Sequence, residues 1–117
     1  MAHVLGPITL SSVGTGKTFN LGTPSAPHFL ICTVVSSTGT DGENHRSEGK
    51  ATATYQFCMS TCGDKSRNSS AHVVRHYVAG SSTPVLEASF NSFTATGIKL
   101  DVTIANTGYQ VLIDAEY

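Results

Sequence analysis

With 117 residues, 13% of them charged, a net charge of −1 and seven Lys and Arg scattered singly, the chain reads as one domain (residues 1–117) with no basic stripe for nucleic acid. No run approaches the roughly 18 apolar residues of a membrane span, and Met1–Pro7 lacks the basic start and apolar stretch of a signal peptide, so synthesis in a cytoplasm is expected. Ser and Thr number 29 and Gly 11, which suits strands and tight turns, and three cysteines, an odd number, argue against a disulfide framework.

Two-residue alternation is common along the chain and helical periodicity is hard to find. Strands are expected at Ile8–Val13 and Lys17–Leu21, then at His28–Val35, which is apolar on both sides. Phe29, Ile31 and Val35 lie on one side of it and Leu30, Cys32 and Val34 on the other. A two-layer sandwich buries one side of a strand, so the second set is expected to meet a neighbouring subunit or a loop of the same chain.

Ser36–Lys50 is expected to be a loop, and it is the candidate recognition element, with Asp41, Asn44, His45 and Arg46 as its binding residues. The plainer alternative is a solvated loop. Ala51–Phe57 reads as a strand, Ser60–Ser70 as a second polar stretch, and Ala71–Val78 and Val85–Asn91 as strands. Gly97–Ile104 alternates cleanly, with Ile98, Leu100, Val102 and Ile104 inward; Tyr109–Tyr117 alternates with its odd positions inward. Ala105–Gly108 supplies turn chemistry, so these last two strands are expected to form a hairpin. About eight short strands imply an all-β fold, an antiparallel β-sandwich or jelly roll.

Several motifs suggest chemistry without completing it. Gly14-Thr15-Gly16-Lys17-Thr18 mimics the end of a phosphate-binding loop, but Ser11 stands where the first glycine belongs and Phe19–Pro24 cannot start a helix. Cys58 and Cys62 followed by His72 and His76 mimic a zinc finger. On a strand, however, the two histidines stand roughly 13 Å apart, too far to share a metal. No Gly-x-Ser-x-Gly elbow marks a nucleophile, and no paired carboxylates mark a glycosidase. Asp41-Gly42-Glu43-Asn44 lacks the twelve-residue calcium pattern. A non-enzymatic protein without cofactor or metal is the expectation.

Ile8-Thr9-Leu10, then Phe19–Pro24 leading into Phe29–Val35, then Ser92–Leu100 and a close on Val111–Tyr117, form a pattern of strands and turns. It resembles small β-sandwich domains of phage tails and virion surfaces and, more distantly, the H-type lectins, which assemble as trimers or hexamers. The resemblance implies a virion structural protein, a capsid decoration or tail component, made in the host cytoplasm. Its partners would be copies of itself, as a homotrimer, and other virion proteins. The alternative it implies is a lectin-like receptor-binding domain for a cell-surface glycan. Trp is absent, and most of the nine Phe and Tyr are expected in the core, which counts against the lectin.

Overall fold

A computed structural model describes residues 2–36, 45–63, 65–78 and 81–117. The fold is all-β and sandwich-like, and the described residues form ten strands in two antiparallel sheets. They are β1 (His3–Ile8), β2 (Gly14–Asn20), β3 (Phe29–Ser36), β4 (Arg46–Ala51), β5 (Gln56–Cys62), β6 (Lys65–Ser69), β7 (Val74–His76), β8 (Leu86–Thr94), β9 (Gly97–Ile104) and β10 (Tyr109–Glu116). One sheet has the order β1-β10-β3-β4-β5-β6 and the other β2-β9-β8-β7.

The core lies between the sheets. β3 contributes Leu30, Cys32 and Val34, and β10 contributes Val111, Ile113 and Ala115. Facing them are Leu86 and Ala88 of β8, Val74 of β7, and Ile98, Leu100 and Val102 of β9. The alternation read from the last two strands therefore holds along their middles, while Ile104, Tyr109 and Tyr117 at their ends are only half-buried.

The pairing of those two strands differs from the expectation. β9 bonds to β8 and β2, and β10 bonds to β1 and β3. Ala105–Gly108 is a crossover between sheets, not a hairpin turn. Asn106 fixes it: its N–H reaches the Leu10 carbonyl at 3.0 Å, and its side-chain oxygen accepts the Gly108 N–H at 2.8 Å. Alternation reports which face of a strand is buried and says nothing about which sheet it joins.

The first strand is His3–Ile8 instead of Ile8–Val13, because an edge position tolerates Pro7, which has no N–H to donate. Residues 9–13 lead out of it toward β2, and Leu10 is buried in the core. Ala51–Phe57 is not one strand: Thr52–Tyr55 turn between β4 and β5, closed by Thr52 N–H to the Tyr55 carbonyl at 2.8 Å. Both polar stretches hold strands as well. Ser60–Ser70 lies in the β5–β6 hairpin, which turns at Gly63 with φ +63°, and the expected loop Ser36–Lys50 ends in β4. The expected strand Ala71–Val78 shortens to Val74–His76.

β4 alternates charged and small residues: Arg46, Glu48 and Lys50 point outward, and Ser47, Gly49 and Ala51 point inward. The small inward face is a packing requirement. A Cβ built on Gly49 would stand 1.7 Å from the Val73 carbonyl oxygen, where the chain leads into β7. A Cβ on Gly6 of β1 meets nothing within 4 Å. Gly49→Ala is therefore expected to cost about 3 kcal/mol or to prevent folding, and Gly6→Ala to change the denaturation midpoint little. Comparable stability for the two variants would refute the close approach of β4 and β7.

Candidate functional site

Of the four expected recognition residues, the structure describes His45 and Arg46, which point to different sides. Asp41 and Asn44 lie outside the described residues. Arg46 opens β4 on the outer face, whereas the His45 ring stands edge-on to His76 at 6.3 Å. His76 is wholly buried.

His76 belongs to a polar chain inside the sandwich. Its Nδ1 lies 2.7 Å from Ser47 Oγ; the Ser47 hydroxyl donates to Ser60 Oγ at 3.2 Å, and Ser60 donates to the Arg75 carbonyl. Since the one Ser47 proton goes to Ser60, His76 must donate from Nδ1. This Ser–His contact is not a nucleophile and base in working position, because all three side chains are buried. It ties β4, β5 and β7 together. Ser47→Ala leaves a buried N–H and a hydroxyl short of partners, with an expected cost of about 1–3 kcal/mol in chemical denaturation. A cost below about 0.5 kcal/mol would refute that role.

A second cluster joins the sheets nearer the surface. Ser69 Oγ is 2.7 Å from His72 Nδ1, and His72 Nε2 is 3.4 Å from Glu87 Oε1. The order Ser–His–Glu invites comparison with a hydrolytic triad. Yet Ser69 Oγ already accepts the Ala71 N–H at 3.1 Å, and Glu87 is shared with the Thr103 hydroxyl at 2.8 Å and the Arg75 Nε at 3.7 Å. The hydroxyl caps a turn and the carboxylate braces three elements. Tyr77 extends the brace, lying under the guanidinium of Arg67 at 4.2 Å and beside that of Arg75 at 5.2 Å.

The metal-like and phosphate-like motifs are also put to other uses. His72 and His76 take the separate partners just described, and Cys32, Cys58 and Cys62 are free thiols. Among the described residues no group of three or more His, Cys, Asp or Glu is placed to hold a metal ion. Burial pushes the Cys32 thiol far up, and it pushes Cys58 up to about 11 against the lowering influence of Arg75. Both are protonated and unreactive at neutral pH. Gly16 N–H, which would face a phosphate, instead donates to Asp101 Oδ1 at 2.8 Å.

What remains is the outer face of the six-stranded sheet. The strand registers set Leu5, Asp114, Ile31, Lys50 and Phe57 in one row across β1, β10, β3, β4 and β5. The next row holds Pro7, Leu112, Thr33, Glu48 and Met59. Leu5 is 73% exposed, and Leu112, Phe57 and Met59 are each exposed by about half (42%, 46% and 51%). A hollow of about 370 Å³ opens between Leu5, Ile31, Thr33 and Leu112. At one end, His3 reaches Asp114 at 2.6 Å and Glu116 at 3.2 Å, and His28 reaches Glu116 at 2.7 Å. These contacts pin the edge strand and the entry to β3 onto β10.

Beside this face Tyr55 projects from the β4–β5 turn and is 80% exposed. It stands between an apolar cleft of about 380 Å³ lined with Phe29, Phe57 and Lys50 and a polar one of about 250 Å³ lined with Thr54, Phe90 and Asn91. The sequence placed most aromatic residues in the core, but only Tyr77 is buried. Phe19, Phe90, Phe93 and Tyr109 are half-buried against the core, Phe29 lies on the outer side of β3, and Tyr55 and Phe57 are exposed because their segment is a turn and a half-exposed strand. No family model, no curated protein and no solved structure matches the chain.

Proposed function

We propose that the protein is a non-enzymatic structural component of a phage virion, a decoration or tail protein, that works by packing its outer face on other subunits. The observation that carries the reading is that face itself. Leu5, Leu112, Phe57 and Met59 are exposed around the central strand β3, which adds Phe29, Ile31 and Val35 on the same side. Exposed apolar side chains gathered on one sheet mark a contact surface. The polar clusters supply no competing chemistry, since their members brace strands. The virion itself comes from the resemblance of the strand pattern to phage surface domains.

A second reading, a carbohydrate-binding domain, draws on Tyr55. An exposed aromatic face between an apolar and a polar cleft is a platform on which a sugar ring can stack, with Asn91 and Thr54 in reach for hydroxyls.

Mass spectrometry of purified particles of the phage encoding the chain is expected to find it as a stoichiometric component. A Leu112→Arg variant, changed at an exposed position, is expected to keep the wild-type melting temperature and to lose incorporation into particles. Absence from particles despite abundance in infected cells would overturn the structural reading. Binding on a glycan array that Tyr55→Ala abolishes would establish the carbohydrate reading in its place.

A further inference from the structure

We infer that the outer face docks a second copy of this chain, sheet against sheet, about a two-fold axis that runs along β3. This rests on the interface reading above and adds the partner and its geometry.

Two sheets stacked face to face by a two-fold must have the axis in the plane between them. An axis along a strand reverses the strand order and keeps the level; an axis across the strands does the opposite. The charges on the face distinguish these cases. In the row Leu5–Asp114–Ile31–Lys50–Phe57, the acid and the base stand one strand to either side of Ile31, and an apolar residue stands two strands to either side. An axis along β3 therefore sets Asp114 against the partner's Lys50, Leu5 against the partner's Phe57, and Ile31 against its own copy. In the next row Pro7 meets the partner's Met59 and Thr33 meets its own copy.

Axes along β10 or β4, or across the strands at either row, bring like charges together. Along β10, Asp114 meets itself. Along β4, Arg46, Glu48 and Lys50 each meet themselves. An axis across the strands at the level of Ile31 sets Asp114 on Asp114 and Lys50 on Lys50; at the level of Thr33 it sets Lys50 on Arg46. Like charges face to face disfavour those arrangements. Axes midway between β3 and a neighbouring strand lay Asp114 and Lys50 on apolar residues. An axis across the strands midway between the two rows pairs Lys50 with the partner's Glu48 but leaves Asp114 over the partner's Leu112, so the Asp114 reversal below separates it from the β3 axis. Glu48 and Arg46 have no charge complement about β3: Glu48 lies over the partner's Leu112, with its carboxylate 3.9 Å from its own Lys50, and Arg46 lies over the partner's Gln110. Asp114 would be shared between its own His3, 2.6 Å away, and the partner's Lys50.

The dimensions suit a modest dimer. Stacked sheets lie about 10 Å apart, a gap that two facing layers of side chains fill. Five strands of six to eight residues cover roughly 550 Å² per copy, or about 1,100 Å² in all, in the range of weak, transient interfaces. Association at micromolar concentration, strengthened by repetition on a particle, fits that size.

Sedimentation velocity on the full chain tests the geometry, with circular dichroism as the control for folding. The wild type is expected to dimerise. Asp114→Lys alone and Lys50→Asp alone are each expected to dimerise at least about tenfold more weakly. An equimolar mixture of the two is expected to recover the dimer, because every such contact then joins one acid to one base again. If a reversal prevents folding, Ile31→Arg on the axis is the substitute, with a folded monomer as the expected result. A dimer indifferent to these changes, a mixture that stays monomeric, or a trimer overturns the β3 axis. A wild type monomeric at every concentration, yet present in particles, also overturns it and leaves the structural reading standing.

Discussion

The close approach of Val73 to Gly49 governs how the two sheets meet. With the Val73 carbonyl oxygen where a Gly49 side chain would be, the chain entering β7 lies directly against β4. Val73 N–H then bonds to the Ala88 carbonyl at 3.0 Å, so the same residue that presses on the large sheet extends the pairing of the small one. Val73 and Val74 are both buried as a result, and the chain emerges with His76 beside Ser47. Small side chains on the inner side of β4 are the condition for all of this. Its outer side, which takes no part in the core, carries the charges Arg46, Glu48 and Lys50.

This constraint explains what could and could not be read from the residues. β9 and β10 were legible because their inward positions are large and apolar, so burial and hydropathy coincide. β4 was illegible because Ser47, Gly49 and Ala51 are buried for their size, and Arg-Ser-Glu-Gly-Lys-Ala reads as solvent-exposed loop. The β5–β6 hairpin was hidden for a related reason: its inward residues include Cys58 and Ser60, and Ser60 is buried only because the Arg75 carbonyl takes its proton. The crossover at Asn106 depends on the distant carbonyls of Leu10 and Val85, which no local pattern encodes.

The candidate site was legible in part. The two-sided apolar character of β3 pointed to a second surface beyond the core, and Phe29, Ile31 and Val35 do lie on the outer side. The sequence could not show that β1, β10 and β5 extend this surface, because their contributions depend on strand order. Leu5 stands two residues before Pro7 in a segment without strand-like alternation, and the stretch that reads as one strand up to Phe57 is partly a turn. Polarity singles out the stretch that holds His45, whereas the His45 ring stands edge-on to that of the buried His76.

The edges of both sheets bear on how such a surface is used. An open strand edge is the usual route to association, and here each is blunted. β1 carries Pro7, and β6 carries Lys65 and Arg67. β2 is irregular between Gly14 and Lys17, and β7 has only three residues. The outer side of the small sheet is polar, with Lys99, Asp101 and Thr103 on β9 and Glu87 and Ser89 on β8. Lateral strand addition is therefore disfavoured at every described edge, and the small sheet offers water a polar surface. The apolar outer face of the large sheet is the surface left for stable contact, and the acid and base on either side of β3 restrict how a like surface can lie on it.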